Sequence, residues 1–372
     1  MATAQQPPAL NIPHSDSTVE VSIIDTTCHI SLPSSLFVEP QLFQNLTAPA
    51  YSFLIKHKDD TLLFDLGIRK DWENSPTAVV EMVRPHADNL RIDKDVATIL
   101  RENGQALEDV SAIIWSHAHF DHTGDPDTFP PTTDLIVGPG FKASFPSAFP
   151  TIPASKVDER AWQKRTLREI DFAAAGGGGG DGLRIGRFEA CDYYGDGSFY
   201  LLNTPGHFTG HICALARTTA DPPTFMFLGG DIAHHAGEFR PTQYMPLPAC
   251  ISPNPLQRPF AAATTTTTTP SFCPGEVFQA LHPTNSRTSP FLKPSTAAHA
   301  AHLDPAETLR SIEKLAEFDA CEEVFSVVAH DMSLFDVVEF YPARANEWKA
   351  KGWGREGRWR FLREIDGGPA RE

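Results

Sequence analysis

Ser116-His117-Ala118-His119-Phe120-Asp121-His122-Thr123-Gly124-Asp125 brings four metal-ligating side chains into six residues, His117 to His122. Ahead of it runs Val110-Ser111-Ala112-Ile113-Ile114-Trp115, an apolar run of the buried-strand kind. A strand that ends here would hand over to a loop with its side chains turned inward. His117 and His119 are two residues apart, so an extended backbone points both the same way. Asp121 and His122 are adjacent, so they diverge and can serve a different ion. One loop could therefore feed two metals. Imidazole and carboxylate ligands without a thiolate suit zinc, manganese or iron. A bare His-x-His is unspecific, but His-x-His-x-Asp-His behind an apolar strand is far more so.

Further along, Phe199-Tyr200-Leu201-Leu202 leads into Asn203-Thr204-Pro205-Gly206-His207-Phe208-Thr209-Gly210-His211, where Pro205 and Gly206 make a tight turn before His207. Thr224 to Leu228 ends in Gly229-Gly230-Asp231, and Val324 to Val328 in Ala329-His330-Asp331. Taken in this order, the motifs resemble those of the metallo-β-lactamase superfamily over residues roughly 20 to 340. Thr-Pro-Gly-His-x-x-Gly-His resembles its N-acyl homoserine lactonase-like branch, and the residues around the ligands look like a fungal group of lactonase- or lactamase-like proteins.

The resemblance implies an α/β fold, the αβ/βα sandwich, with two mixed β-sheets packed face to face, helices outside and metals at one edge. It implies His117, His119 and His207 on one ion, Asp121, His122 and His330 on the other, and Asp231 between them. Two Zn2+ ions per chain are expected, with manganese or iron as alternatives. Asp65, in Asp65-Leu66-Gly67 after a hairpin, resembles a carboxylate that orients a ligand. His211 reads as a supporting histidine. Bacterial lactonases of this kind carry a tyrosine near position 234. This chain has His234 there, with His235 beside it, and His234 is the candidate proton donor. Asp121 is expected to assist proton movement as well as to ligate. Arg240 is either an anchor for an anionic substrate group or a solvated side chain.

The expected reaction is hydrolysis by a hydroxide held between the two ions, opening a lactone or lactam ring of a small metabolite. The alternative is a thioesterase of secondary metabolism or of the glyoxalase II type. A metal-stabilised binding protein is disfavoured because no ligand of the series is missing. A redox metalloprotein is disfavoured because the flavo-diiron reductases carry a glutamate within the first motif.

Composition bounds the rest. The chain has 372 residues, 41% of them hydrophobic, and a net charge of −16. No basic footprint for nucleic acid is present, so no nucleic-acid partner is expected. No signal sequence or membrane span is apparent. Six scattered cysteines form no Cys-x-x-Cys pair, and a cytoplasmic location with reduced thiols is expected. Residues 1–18 read as a flexible N-terminal arm. Residues 19–372 read as a single domain with a low-complexity insertion at about 243–298, disordered or draped over the surface. Gly176 to Gly180 reads as a flexible hairpin tip, not a phosphate loop. Pro33 to Ala48 reads as a packed loop rather than a cover for the site. Phe141 to Phe149 is a candidate pocket wall or ordinary packing. Helices are predicted over 76–84, 93–102 with Asp93 as its cap, and 304–318. The tryptophan-rich stretch 341–361 reads as a closing helix, with a homodimer contact as the less favoured role.

Overall fold

The computed structural model describes residues 4–173, 182–256 and 272–365. The pentaglycine stretch, Thr264 to Thr269 and the last seven residues lie outside them. Short, mostly apolar strands, many of them buried on both faces, build two six-stranded sheets. The first runs β1 (Glu20–Ile24), β2 (Ser52–His57), β3 (Asp60–Phe64), β4 (Val110–Ile114), β5 (Asp134–Val137) and β6 (Leu167–Glu169), in that spatial order. Its first three strands are antiparallel; β3 to β6 are parallel. The second runs β7 (Leu183–Ile185), β8 (Phe188–Asp192), β9 (Phe199–Asn203), β10 (Ile212–Ala220), β11 (Pro223–Leu228) and β12 (Val324–Val327). It is antiparallel except where β11 meets β12.

Successive strand residues face opposite ways, and the cores follow from that. Leu62, Phe64 and Ile114 face Leu201, Ala214 and Met226 in one apolar layer between the sheets. Leu63, Ile113 and Leu135 point outward and pack with Ile99 and Leu100 of the helix Val96–Glu102. On the far side, Leu202, Leu215 and Phe227 pack with Ile312 and Leu315 of the helix Pro305–Asp319. This is the expected αβ/βα sandwich.

Several local expectations change. Asp95, not Asp93, caps the helix that follows, accepting the Thr98 amide at 2.7 Å; Asp93 is held by Arg91 instead. The 76–84 helix is Thr77–Val83, and Asp304 caps Pro305–Asp319 as read. The 341–361 stretch is mostly turns, with a short helix at Trp353–Gly357. Its tryptophans Trp348, Trp353 and Trp359 are buried as core. Residues 4–18 lie against the second sheet: Leu10 is buried, and Arg217 donates to the Pro13 carbonyl at 2.6 Å. The described parts of 243–298 contribute Leu247, Ile251, Phe278, Phe291 and Leu292 to the outer core of that sheet. Scattered apolar residues without a period were enough to anchor a segment whose regular structure, among the described residues, is limited to the helix Gly275–Leu281 and short two-residue strands.

Candidate metal centre

Each ligand candidate stands just beyond a strand end. His117, His119, Asp121 and His122 follow β4, His207 follows β9, Asp231 follows β11 and His330 follows β12. The chain needs special backbone to hold them there. Gly206 has φ +126°, and a Cβ on it would lie 2.2 Å from the Thr308 amide nitrogen. Only glycine lets the His207 loop press onto the helix Pro305–Asp319. Gly138 abuts the Gly210 carbonyl in the same way.

His207 Nε2 lies 3.1 Å from His117 Nε2 and 2.9 Å from His119 Nδ1. On the other side, His330 Nε2 lies 3.5 Å from Asp121 Oδ2. Asp231 stands between the two groups. Its Oδ2 faces His207 at 3.3 Å and His117 at 3.7 Å; its Oδ1 faces His122 and His330, both at 3.0 Å. Among the described residues, His117, His119, His207 and Asp231 form one set close enough to share an ion, and Asp121, His122 and His330 another.

The donor set fits cations. Asp231 Oδ1 and His122 Nε2 are buried and close, yet neither has a hydrogen-bond partner. Buried polar atoms are rarely left so, and lone pairs converging on one point suit a metal. Burial and the neighbouring imidazoles hold His117 and His207 well below the usual imidazole range, and burial takes His119 to about 4. Their lone pairs are therefore free of protons. Burial opposes a charge on His122 and on His330, but Asp231 raises both, aided by Asp65 at His122 and Asp121 at His330. The buried carboxylates draw positive charge to this side, a pull that a divalent cation satisfies.

Supporting groups orient the rings. Asp65, fully buried, accepts from His122 Nδ1 at 2.8 Å and from the Ser116 amide and hydroxyl, both at 2.7 Å. Ser116 Oγ in turn stands 3.1 Å from His117 Nδ1. His330 Nδ1 donates to the Pro49 carbonyl at 2.7 Å. His211 Nε2 accepts the Asp231 amide at 3.0 Å, a supporting place as read from the sequence.

His234 is fully buried beside the cluster, its Nε2 3.2 Å from Asp231 Oδ2 without hydrogen-bond alignment, and neither ring nitrogen has a partner. Its ring stacks on His330 at 5.6 Å. Arg240 is corrected on both counts: it is buried and forks onto Asp319, away from the site.

A cleft of about 640 Å³ opens over Asp121, Asp231 and His234. Its lining is mostly apolar, with Ile30, Leu32, Leu36, Phe37, Met82 and Phe208 among it. Leu36 and Phe37 belong to the stretch read as a packed loop; they form the cleft wall instead. Phe141 does not line it and packs on Trp115, while Phe145 stacks on Phe208. Sequence reading also passed over His302, which lies 3.2 Å from His207. It sits in a stretch without ligand spacing and offers no local signal. Phe208 could have been found, since it is flanked by motif residues.

Histidines and carboxylates converging at one edge of a two-sheet sandwich make a candidate metal centre. The chain belongs to the metallo-β-lactamase superfamily. The family model for that superfamily matches residues 47–140. The gamma-lactamase FDB1 of Fusarium pseudograminearum (strain CS3096) is 52% identical over 98% of this chain and 87% of its own. The gamma-lactamase MBL2 of Gibberella moniliformis (strain M3125 / FGSC 7600) is 55% identical over 68% of this chain and 100% of its own. The fold is shared with an N-acyl homoserine lactone hydrolase solved with the product N-hexanoyl-L-homoserine at its catalytic metal centre. That structure is 16% identical, has a TM-score of 0.52, and the match covers 88% of this chain and 99% of that one. Among the described residues, no helix is long and apolar enough to cross a membrane.

Proposed function

We propose that the protein is a dinuclear, zinc-dependent hydrolase that opens a lactone or lactam ring of a small metabolite. The observation that carries the reading is Asp231, whose two oxygens face two different histidine groups beneath an apolar cleft. His117, His119 and His207 would hold one ion and Asp121, His122 and His330 the other, with Asp231 shared. Bound there, two divalent cations supply a nucleophile at neutral pH and polarise the carbonyl under attack. The names of the gamma-lactamase relatives, and the homoserine product in the structural neighbour, support a ring amide or ester as substrate. The cleft volume falls in the usual small-molecule range of about 300–1,000 Å³. A cytoplasmic location belongs to the same reading, supported by six free cysteines.

The chain's own groups divide the remaining work. Phe37, Phe120 and Phe208 exclude water and seat an apolar ring. Asp121, at the cleft floor, accepts a proton from the attacking group. His234 donates a hydrogen bond or a proton to the opening ring, the role its unpartnered nitrogens suit.

The test is a panel of a γ-lactam, lactones, a cyclic carbamate and a thioester, offered to protein of known metal content. A ring substrate is expected to turn over to one product carrying one added water. His234→Phe is expected to keep its metals and lose about 10²–10⁴-fold in kcat, the usual contribution of a positioned acid. Thioester cleavage alone, read as a released thiol, would contradict the ring-opening reading. Unchanged kcat in His234→Phe would remove His234 from the mechanism.

A further inference from the structure

The rings proposed as ligands need their distal nitrogens fixed, because a histidine binds a cation through one nitrogen only when the proton sits on the other. For three of them the partner is plain. His122 is held by Asp65, His117 by Ser116 Oγ and His330 by the Pro49 carbonyl. Among the described residues, no carboxylate, hydroxyl or carbonyl meets His207 Nδ1. What stands there, at 3.2 Å, is Nδ1 of another imidazole, His302, 95 residues away in the chain.

Two nitrogens facing each other leave the direction of the hydrogen bond open, but the far side of His302 closes the question. Its Nε2 lies 2.8 Å from the Phe37 carbonyl oxygen. A carbonyl only accepts, so His302 Nε2 carries the proton. A neutral imidazole has one, so His302 Nδ1 is the acceptor. His207 Nδ1 must then be the donor, and its Nε2 lone pair is left facing His117 and His119. His302 is buried against His207 and His234, rings with centroids 5.3 and 5.0 Å away.

The backbone holds this relay in register. The Leu303 amide donates to the His207 carbonyl at 2.8 Å and the Asp304 amide to the Gly206 carbonyl at 2.9 Å. The Ala301 amide donates to the Leu36 carbonyl at 2.8 Å, and the Ser295 amide to that of Phe37 at 3.0 Å. The segment 295–304 thus clamps the 34–37 wall of the cleft to the His207 loop.

We infer that His302 is a positioning residue for His207: through the chain His207 Nδ1–H to His302 Nδ1, and His302 Nε2–H to the Phe37 carbonyl, it sets the tautomer that presents His207 Nε2 to the metal and ties that ligand to the substrate wall. The inference rests on the metal-binding reading above but not on the choice of substrate.

The experiment measures zinc affinity by competition with a chromophoric chelator for wild type, His302→Ala and His302→Asn. Thermal unfolding of the metal-free proteins runs beside it. His302→Ala is expected to lose about 10–100-fold in affinity for one ion, as is usual when a ligand loses its supporting partner. His302→Asn keeps an acceptor oxygen near the place of Nδ1 and is expected to recover most of that affinity. A packing role alone would weaken both variants alike and lower metal-free stability in parallel. Wild-type affinity in His302→Ala, or equal losses in both variants, would overturn the inference. A wild type that binds no zinc would overturn the metal-binding reading and this inference with it.

Discussion

Asp231→Ala is expected to abolish ring-opening activity and to reduce bound metal from two ions per chain to at most one. The loss should be at least about a thousandfold in kcat, or about 4 kcal/mol of barrier. That exceeds the 10- to 100-fold typical of groups that only support ligands. Asp231 directs its two oxygens at different histidine groups, with His122 and His330 at 3.0 Å from Oδ1 and His207 at 3.3 Å from Oδ2. An imidazole cannot bridge in this way, and Asp231→His should fail too. The check is elemental analysis of the purified variant beside its turnover. Asp231→Ala protein with two ions and wild-type kcat would remove the bridging assignment.

The second large effect falls on stability, away from the site. Arg240→Ala is expected to destabilise the fold by about 3–5 kcal/mol, because it leaves the Asp319 carboxylate buried without its cation. Arg240 Nε and Nη2 reach both oxygens of Asp319 at 2.7 and 2.6 Å, and Nη1 donates to the Arg358 carbonyl at 2.9 Å. Both side chains of the pair are about 95% buried. The fork joins the segment after Asp231 to the end of the helix Pro305–Asp319 and to the C-terminal stretch. Arg240→Lys should recover little, since an ammonium cannot make the paired bonds. Arg240→Ala/Asp319→Ala should be less destabilised than the two single variants combined. Denaturant unfolding of wild type and the four variants measures each loss. A loss under 1 kcal/mol in Arg240→Ala would show the pair to be dispensable.

The two regions differ in how far the sequence exposes them. The metal-site candidates could be read because each lies within a few residues of an apolar strand, and strand ends are set by local pattern. His117 and His119 share a face for a reason that two residues of backbone suffice to give. The sandwich was legible through the resemblance those motifs carry, and its strands through short apolar runs such as Thr61 to Phe64. Partnerships across the fold were not legible. Arg240 meets Asp319 across 79 residues and His207 meets His302 across 95, and no periodicity joins either pair. The cap expected at Asp93 falls at Asp95 because the helix begins only at Val96. Leu36 and Phe37 become the cleft wall through the 295–304 segment clamped to them, a contact no local reading contains.

Turnover of a ring substrate, followed as zinc is returned to chelator-treated protein, tests ring opening by the two-ion centre most directly. Activity is expected to rise to a plateau at two equivalents per chain, and Asp231→Ala to stay inactive throughout. Full binding of two equivalents with no hydrolysis of any lactone or lactam, or full activity in the metal-free protein, would contradict it.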